Sequence, residues 1–165
     1  MAYSEKAIMT KQEFRVENYE GRKSYNLDVP DKLLPLVDKM LVASAEVNSK
    51  YYNFDLTGYN FPHILKYLGD EKGFTGWHTD GFLTDDDSYA DRKLTCVCFL
   101  SDPADYVGGQ FEVYGYLKDL GINIDALNKQ GSLAVFPSFL YHQVSPVLSG
   151  VRFSMSVFRT GPLFR

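Results

Sequence analysis

The stretch Val151–Phe158 alternates without a break. Arg152, Ser154, Ser156 and Phe158 fall on one face of an extended chain, and Val151, Phe153, Met155 and Val157 fall on the other. A period of two rules out a helix and marks a β-strand. Shorter β-type runs precede it at Tyr51–Leu56, Pro62–Leu68, Gln110–Tyr114, Ser132–Phe136 and Tyr141–Val144. Lys93–Leu100 is continuous enough to be a central strand. Clusters of turn residues separate these runs, among them Ser101–Gly109, which ends in Gly108-Gly109 and calls for φ > 0. Many short strands with turns between them indicate an all-β sandwich or jelly roll.

One segment breaks the β pattern. From Asp31 to Val47 the apolar residues Leu33, Leu36, Val37, Met40 and Leu41 recur at helical spacing. Asp31 is a candidate cap, and Pro35 is tolerable in the first turn. The expectation is one amphipathic helix on the outside of a sheet, with edge strands in Phe14–Tyr19 and Lys23–Val29 before it. No repeat or linker divides the 165 residues. They read as a single domain over 1–165, with N-terminal strands and helix to about residue 50 and a β core over about 51–160.

Charge and cysteine usage narrow the function. A net charge of −4 with no Lys/Arg-rich run argues against a nucleic-acid binder. No apolar run approaches the roughly 18 residues that span a bilayer, and the N-terminus lacks the pattern of a secretory signal. Cys96 and Cys98, two apart on one strand, suit neither an ordinary disulfide nor a zinc site without a second pair. They read as buried reduced thiols, and the expected location is cytoplasmic.

The chemistry starts at Gly76-Trp77-His78-Thr79-Asp80-Gly81. On a strand His78 and Asp80 share a face and present an imidazole beside a carboxylate. With His142 as a third ligand they make two histidines and one carboxylate, the set that leaves positions open on non-haem Fe(II). Arg152 follows His142 by ten residues, with Pro146, Ser149 and Gly150 between. That spacing fits two antiparallel strands and a loop, and places a guanidinium a few residues from the ligand. Arg152 can grip a carboxylate in bidentate fashion, with the Ser154 hydroxyl adding a bond from the same face. A keto-diacid that chelates through its 2-oxo acid end suits such a site.

The segments Trp77-His78-Thr79-Asp80, Arg92-Lys93-Leu94-Thr95 through Leu100-Ser101-Asp102-Pro103 to Tyr106-Val107-Gly108-Gly109, and Phe136-Pro137-Ser138 through His142-Gln143-Val144 to Val151-Arg152-Phe153-Ser154 resemble the Fe(II)/2-oxoglutarate-dependent dioxygenases, in particular their prolyl 4-hydroxylase-like or PKHD-type branch. The resemblance covers about residues 60–160 in order. It implies a double-stranded β-helix (jelly-roll, cupin-like) core, with His78, Asp80 and His142 on iron and Arg152 on the distal carboxylate of 2-oxoglutarate. Ser154 matches the second position of an Arg-x-Ser pattern, and Tyr67 matches a tyrosine lining the cosubstrate pocket. Cys98 and Phe99 stand where some relatives carry a tyrosine.

The implied activity couples decarboxylation of 2-oxoglutarate by O2 to hydroxylation of an unactivated C–H bond, releasing succinate and CO2, with ascorbate as an accessory reductant. Asp80 itself implies hydroxylation, since halogenating relatives carry a small residue there. The expected substrate is a peptidyl proline or another protein side chain. A free amino acid or other small metabolite is the second possibility, and a non-catalytic metal-binding jelly-roll module the third. The acidic loop 81–92 reads as a solvated loop and also as a candidate substrate lid. His63 is expected to be structural, Trp77 to pack beside His78, Tyr141 to face away from His142, and Arg159 and Arg165 to lie at the surface.

Overall fold

In a computed structural model of the protein the alternating strand is longer than its pattern, running Val147–Thr160 (β11). The structure describes residues 21–60, 62–81, 92–115 and 128–162, and the backbone of 15–19. Most of the acidic loop, most of the segment after Tyr116, and Arg165 lie outside these residues. Around β11 are β1 (Arg15–Tyr19), β2 (Arg22–Asp28), β3 (Gly58–Tyr59), β4 (His63–Leu68), β5 (Phe74–His78), β6 (Arg92–Phe99), β7 (Tyr106–Gly108), β8 (Phe111–Val113), β9 (Leu133–Pro137) and β10 (His142–Val144). All ladders between them are antiparallel, and the main path runs β8-β10-β5-β2-β4-β11-β6-β9. The sheet curls on itself in the jelly-roll manner, so β8 and β10 at one end of the path face β11 and β6 near the other.

Side chains of opposite parity serve two cores. Met155 and Val157 of β11, Cys96 and Cys98 of β6, Ile64 of β4 and Leu27 of β2 point outward. There they meet Leu33, Val37 and Met40 beside the helix α1 (Leu34–Val47). The other parity, with Tyr67, Val97 and Phe99, joins Phe111, Phe136 and Val144 inside the curl. Both cysteines are free and buried, and burial pushes each thiol up to about 11, which leaves them unreactive. No helix among the described residues is long and apolar enough to cross a membrane.

Asp31 does not cap α1. It begins a 3₁₀ turn, Asp31–Leu33, while Pro35 sits in the first turn of α1 where its missing N–H matters least. The strand expected at Tyr51–Leu56 is absent. A π-helical turn, Asn48–Tyr52, ends α1 there, and Asn53 takes a left-handed conformation (φ 54°). The Asn48 side chain binds both backbone groups of Phe54, at 3.0 and 2.9 Å, and so supplies the partners a neighbouring strand would have offered.

Arg159 is half-buried and bonded rather than free at the surface. Its Nη1 donates to the Leu41 carbonyl (3.0 Å) and to Ser44 Oγ (3.1 Å), and its Nε donates to the Gly58 carbonyl (3.2 Å). It ties the end of β11 to the helix. The Ser149-Gly150 pair does not turn a hairpin either. Val147–Gly150 is bulged strand paired with β7, and Gly150 has φ +74° with no room for a Cβ against the Asp105 carbonyl. β10 and β11 therefore do not pair, and Arg152 sits opposite Tyr67 of β4. Met155, fully buried where β11 meets β4 and β6, sets the expected stability effects. Met155→Ala lowers the unfolding free energy by about 2–5 kcal/mol, whereas Val42→Ala, on the exposed face of α1, stays within about 0.5 kcal/mol. Urea denaturation of the two variants checks both.

Candidate metal centre

Two facing strands supply the histidines. β5 and β10 pair so that His78 lies directly opposite His142, with ring centroids 4.2 Å apart. A bulge between this pair and the Val144–Thr75 pair lets Thr75 and His78, three residues apart, both face the interior. Asp80 is not on the strand. β5 ends at His78, and the chain bends so that the N–H groups of Asp80 and Gly81 both donate to the Ser138 carbonyl, at 2.8 and 3.0 Å. The carboxylate comes to rest between the two imidazoles, with Oδ1 3.4 Å from His78 Nε2 and Oδ2 3.3 Å from His142 Nε2. One ligand atom from each of the three residues lies within 4.8 Å of the others.

Each member of the trio is held from behind. His78 Nδ1 lies 2.8 Å from the Gly76 carbonyl and His142 Nδ1 2.8 Å from the Leu140 carbonyl. A carbonyl only accepts, so both Nδ1 atoms carry hydrogen, and in the neutral rings the Nε2 lone pairs point to the centre of the cluster. Thr95 Oγ1 donates to Asp80 Oδ2 at 2.7 Å. His142 and Asp80 are buried, while His78 is partly open. Two imidazoles and one carboxylate, converging, with His142 and Asp80 buried, are a donor set for a divalent transition metal with positions left open.

The charges are mutually dependent. Burial alone would raise the Asp80 carboxyl, but hydrogen bonding and charge from His142 and His78 outweigh it and hold the group well below the usual carboxylate range. Burial and the nearby Arg22 would lower His78. Bonding and charge from Asp80, with the Gly76 carbonyl, instead raise it above its ordinary 6.5.

Beyond the trio the cavity is walled by Leu65, Val97, Phe111 and Val144, and the hydroxyls of Thr75, Ser154 and Ser156 face into it. Its empty volume is about 470 Å³, open mouth included. Tyr67 lines this cavity and its hydroxyl lies 3.1 Å from Thr75 Oγ1. Behind Tyr67 lies Arg152, 1% exposed, with its guanidinium 5.3 Å from the Tyr67 ring centroid and 5.4 Å from that of Phe99. Nη1 reaches Ser154 Oγ at 3.4 Å, but Nε and Nη2 have no hydrogen-bond partner among the described residues. A buried, under-bonded cation is costly unless something anionic reaches it.

Five of the six candidate residues, His78, Asp80, His142, Tyr67 and Ser154, line one cavity, and Arg152 lies behind Tyr67 without lining it. His63, expected to be structural, turns its ring into that cavity and stacks on Phe158 at 5.8 Å. Trp77 and Tyr141 stack on each other at 5.6 Å on the outer side of the strands, as their parity implies. Thr95 and Ser138 stood in the recognised motifs without a role, and their hydroxyls, 3.1 Å apart, now lie beside the Asp80 carboxylate.

In the metal-free protein the His78 imidazole titrates above 6.5, followed by its ring-proton chemical shift. Asp80→Asn removes the raising charge and leaves burial and Arg22 opposed by the Gly76 carbonyl alone, so the same titration moves down. A titration unmoved by this substitution contradicts the account of the cluster.

A model of the 2OG-Fe(II) oxygenase superfamily matches residues 62–159. A PKHD-type hydroxylase of Azoarcus sp. (strain BH72) is 33% identical over 59% of this chain and 41% of its own length. This chain spans about half the length of the curated relatives it matches. Among solved structures, a Pseudomonas putida prolyl-4-hydroxylase superposes with a TM-score of 0.65 at 23% identity, covering 91% of this chain and 78% of that one. A Trichoplax adhaerens prolyl hydroxylase, solved with a hypoxia inducible factor oxygen degradation domain peptide fragment, gives 0.64 at 19% identity, covering 89% and 70%.

Proposed function

The chain belongs to the 2OG-Fe(II) oxygenase superfamily, and on that premise we propose that it hydroxylates an unactivated C–H bond of a peptidyl proline or another protein side chain. The observation that supports this most is the pairing of a His78–Asp80–His142 cluster that lines the cavity with a buried, under-bonded Arg152 just behind its Tyr67 wall. The first suits Fe(II), and the second suits the distal carboxylate of 2-oxoglutarate. The names of the relatives support the protein side chain as substrate.

His78 Nε2, His142 Nε2 and Asp80 hold the iron in this reading. The bound iron and 2-oxoglutarate supply the oxidative chemistry, in which O2 and the cosubstrate give succinate, CO2 and a hydroxylated product. The protein's work is to bind, orient and exclude water. Arg152 neutralises the far carboxylate with its Nε and Nη2 donors, and Ser154 Oγ and Tyr67 lie beside it to fix its direction. Leu65, Val97, Phe111 and Val144 keep water from the reacting centre and strengthen the electrostatic grip of Arg152. Ser156, Phe158 and His63 line the rest of the cavity, where a substrate side chain enters.

Anaerobic titration with Fe(II) and 2-oxoglutarate, followed by the visible metal-to-ligand charge-transfer band, tests the site. The wild type develops the band and His142→Ala loses it. Arg152→Ala requires about 10- to 100-fold more 2-oxoglutarate, the loss expected for charge-assisted hydrogen bonds. Bound iron without a band in the wild type rejects the reading. Succinate release in the presence of proline-containing peptides, against a panel of free amino acids, then tests the substrate. Stimulation by amino acids alone transfers the assignment to a small-metabolite hydroxylase, and absence of any 2-oxoglutarate turnover transfers it to a binding module.

A further inference from the structure

Asp80 is the one member of the metal cluster that no strand holds. Its backbone is pinned by the Ser138 carbonyl, but its carboxylate stands between two imidazoles at nearly equal distances, 3.4 and 3.3 Å. Nothing in that symmetry chooses which oxygen a metal would take, or whether it would take both. Thr95 breaks the symmetry. Its hydroxyl is 2.7 Å from Oδ2 alone.

Thr95 is 1% exposed on β6, with the apolar Val97 and Phe99 as its inward-facing neighbours on the strand. A hydroxyl there is a liability unless it is bonded. Its one proton can serve only one acceptor, and the charged oxygen at 2.7 Å outcompetes the neutral Ser138 Oγ at 3.1 Å. Ser138 Oγ, 0% exposed, is left as the weaker alternative acceptor. The Thr95 Oγ1–H is therefore directed at Asp80 Oδ2.

Resting on the iron reading above, we infer that Thr95 is a positioning residue that occupies Oδ2 and leaves Oδ1 as the single metal-binding oxygen of Asp80. A carboxylate free to rotate would offer both oxygens and take a further coordination position. Held by Thr95 it would take one, leaving the remaining positions open for a chelating 2-oxo acid and O2. The orientation is set before metal arrives, which also raises affinity.

The test is Fe(II) affinity alone, measured anaerobically by competition with a chromophoric chelator, on wild type, Thr95→Val, Thr95→Ala and Thr95→Ser. Circular dichroism and thermal melts report folding. Thr95→Val, nearly isosteric but without the hydroxyl, and Thr95→Ala weaken Fe(II) binding about tenfold or more, in the range known for outer-shell partners of metal ligands. Thr95→Ser restores it to within about threefold of wild type. Folded Val and Ala variants that bind Fe(II) like the wild type overturn the inference, as does a Ser variant as weak as Val. If Val and Ala fail to fold while Ser folds, Thr95 serves the fold and the inference also falls. A wild type that binds no Fe(II) sinks the iron reading itself, a result distinct from all of these.

Discussion

A strand in the middle of a sheet, covered on both faces, can leave none of its side chains to water. β11 meets this condition over Arg152–Phe158, every residue of which is buried. Its two faces must then find two different interiors. Phe153, Met155 and Val157 find α1 and the outward residues of β4 and β6. Arg152, Ser154 and Ser156 cannot go there, and they require an interior with polar business of its own. The curl of the sheet supplies it, because β5 and β10 are brought round to face β11 with His78 and His142 on their inner side. Cavity and fold share one cause.

Alternation made the strands readable, and alternation also limited the reading. Val151–Phe158 announced both its faces, and the period of Leu33, Val37 and Met40 announced the helix. The π-turn at Asn48–Tyr52 was hidden because Tyr51, Tyr52 and Phe54 have the composition of a strand. What decides that segment is one amide side chain, Asn48, which satisfies Phe54 locally. Arg159 was misplaced for a related reason: a charge at a strand end reads as surface until a helix carbonyl is known to lie above it.

The candidate site was legible as a set of residues and less so as a geometry. His78 and Asp80 were paired by strand parity, yet Asp80 lies past the strand end and is positioned by Ser138. Arg152 was placed near His142 by a hairpin that does not form. It comes to lie behind Tyr67 through its pairing with β4, because the start of β11, bulged between Val147 and Ser149, pairs with β7. The residue types are the ones the proposed chemistry restricts. Their supports, Thr95 and Ser138, are small hydroxyls common in any strand or turn, and only distances distinguish them.

The gap between the histidine pair and Arg152 is bridged on the main sheet path by β2 and β4, which lie between β5 and β11. Those ladders, with the Val147 N–H to Gly73 carbonyl and Tyr67–Thr75 hydrogen bonds, hold the two ends apart. On the proposed function, the cavity is a caliper with the His78–Asp80–His142 cluster as one jaw, the Arg152 guanidinium behind Tyr67 as the other, and backbone hydrogen bonding as its frame. Discrimination among dicarboxylates by chain length would then belong in part to the strands between the jaws, and residues that touch no ligand would share in it.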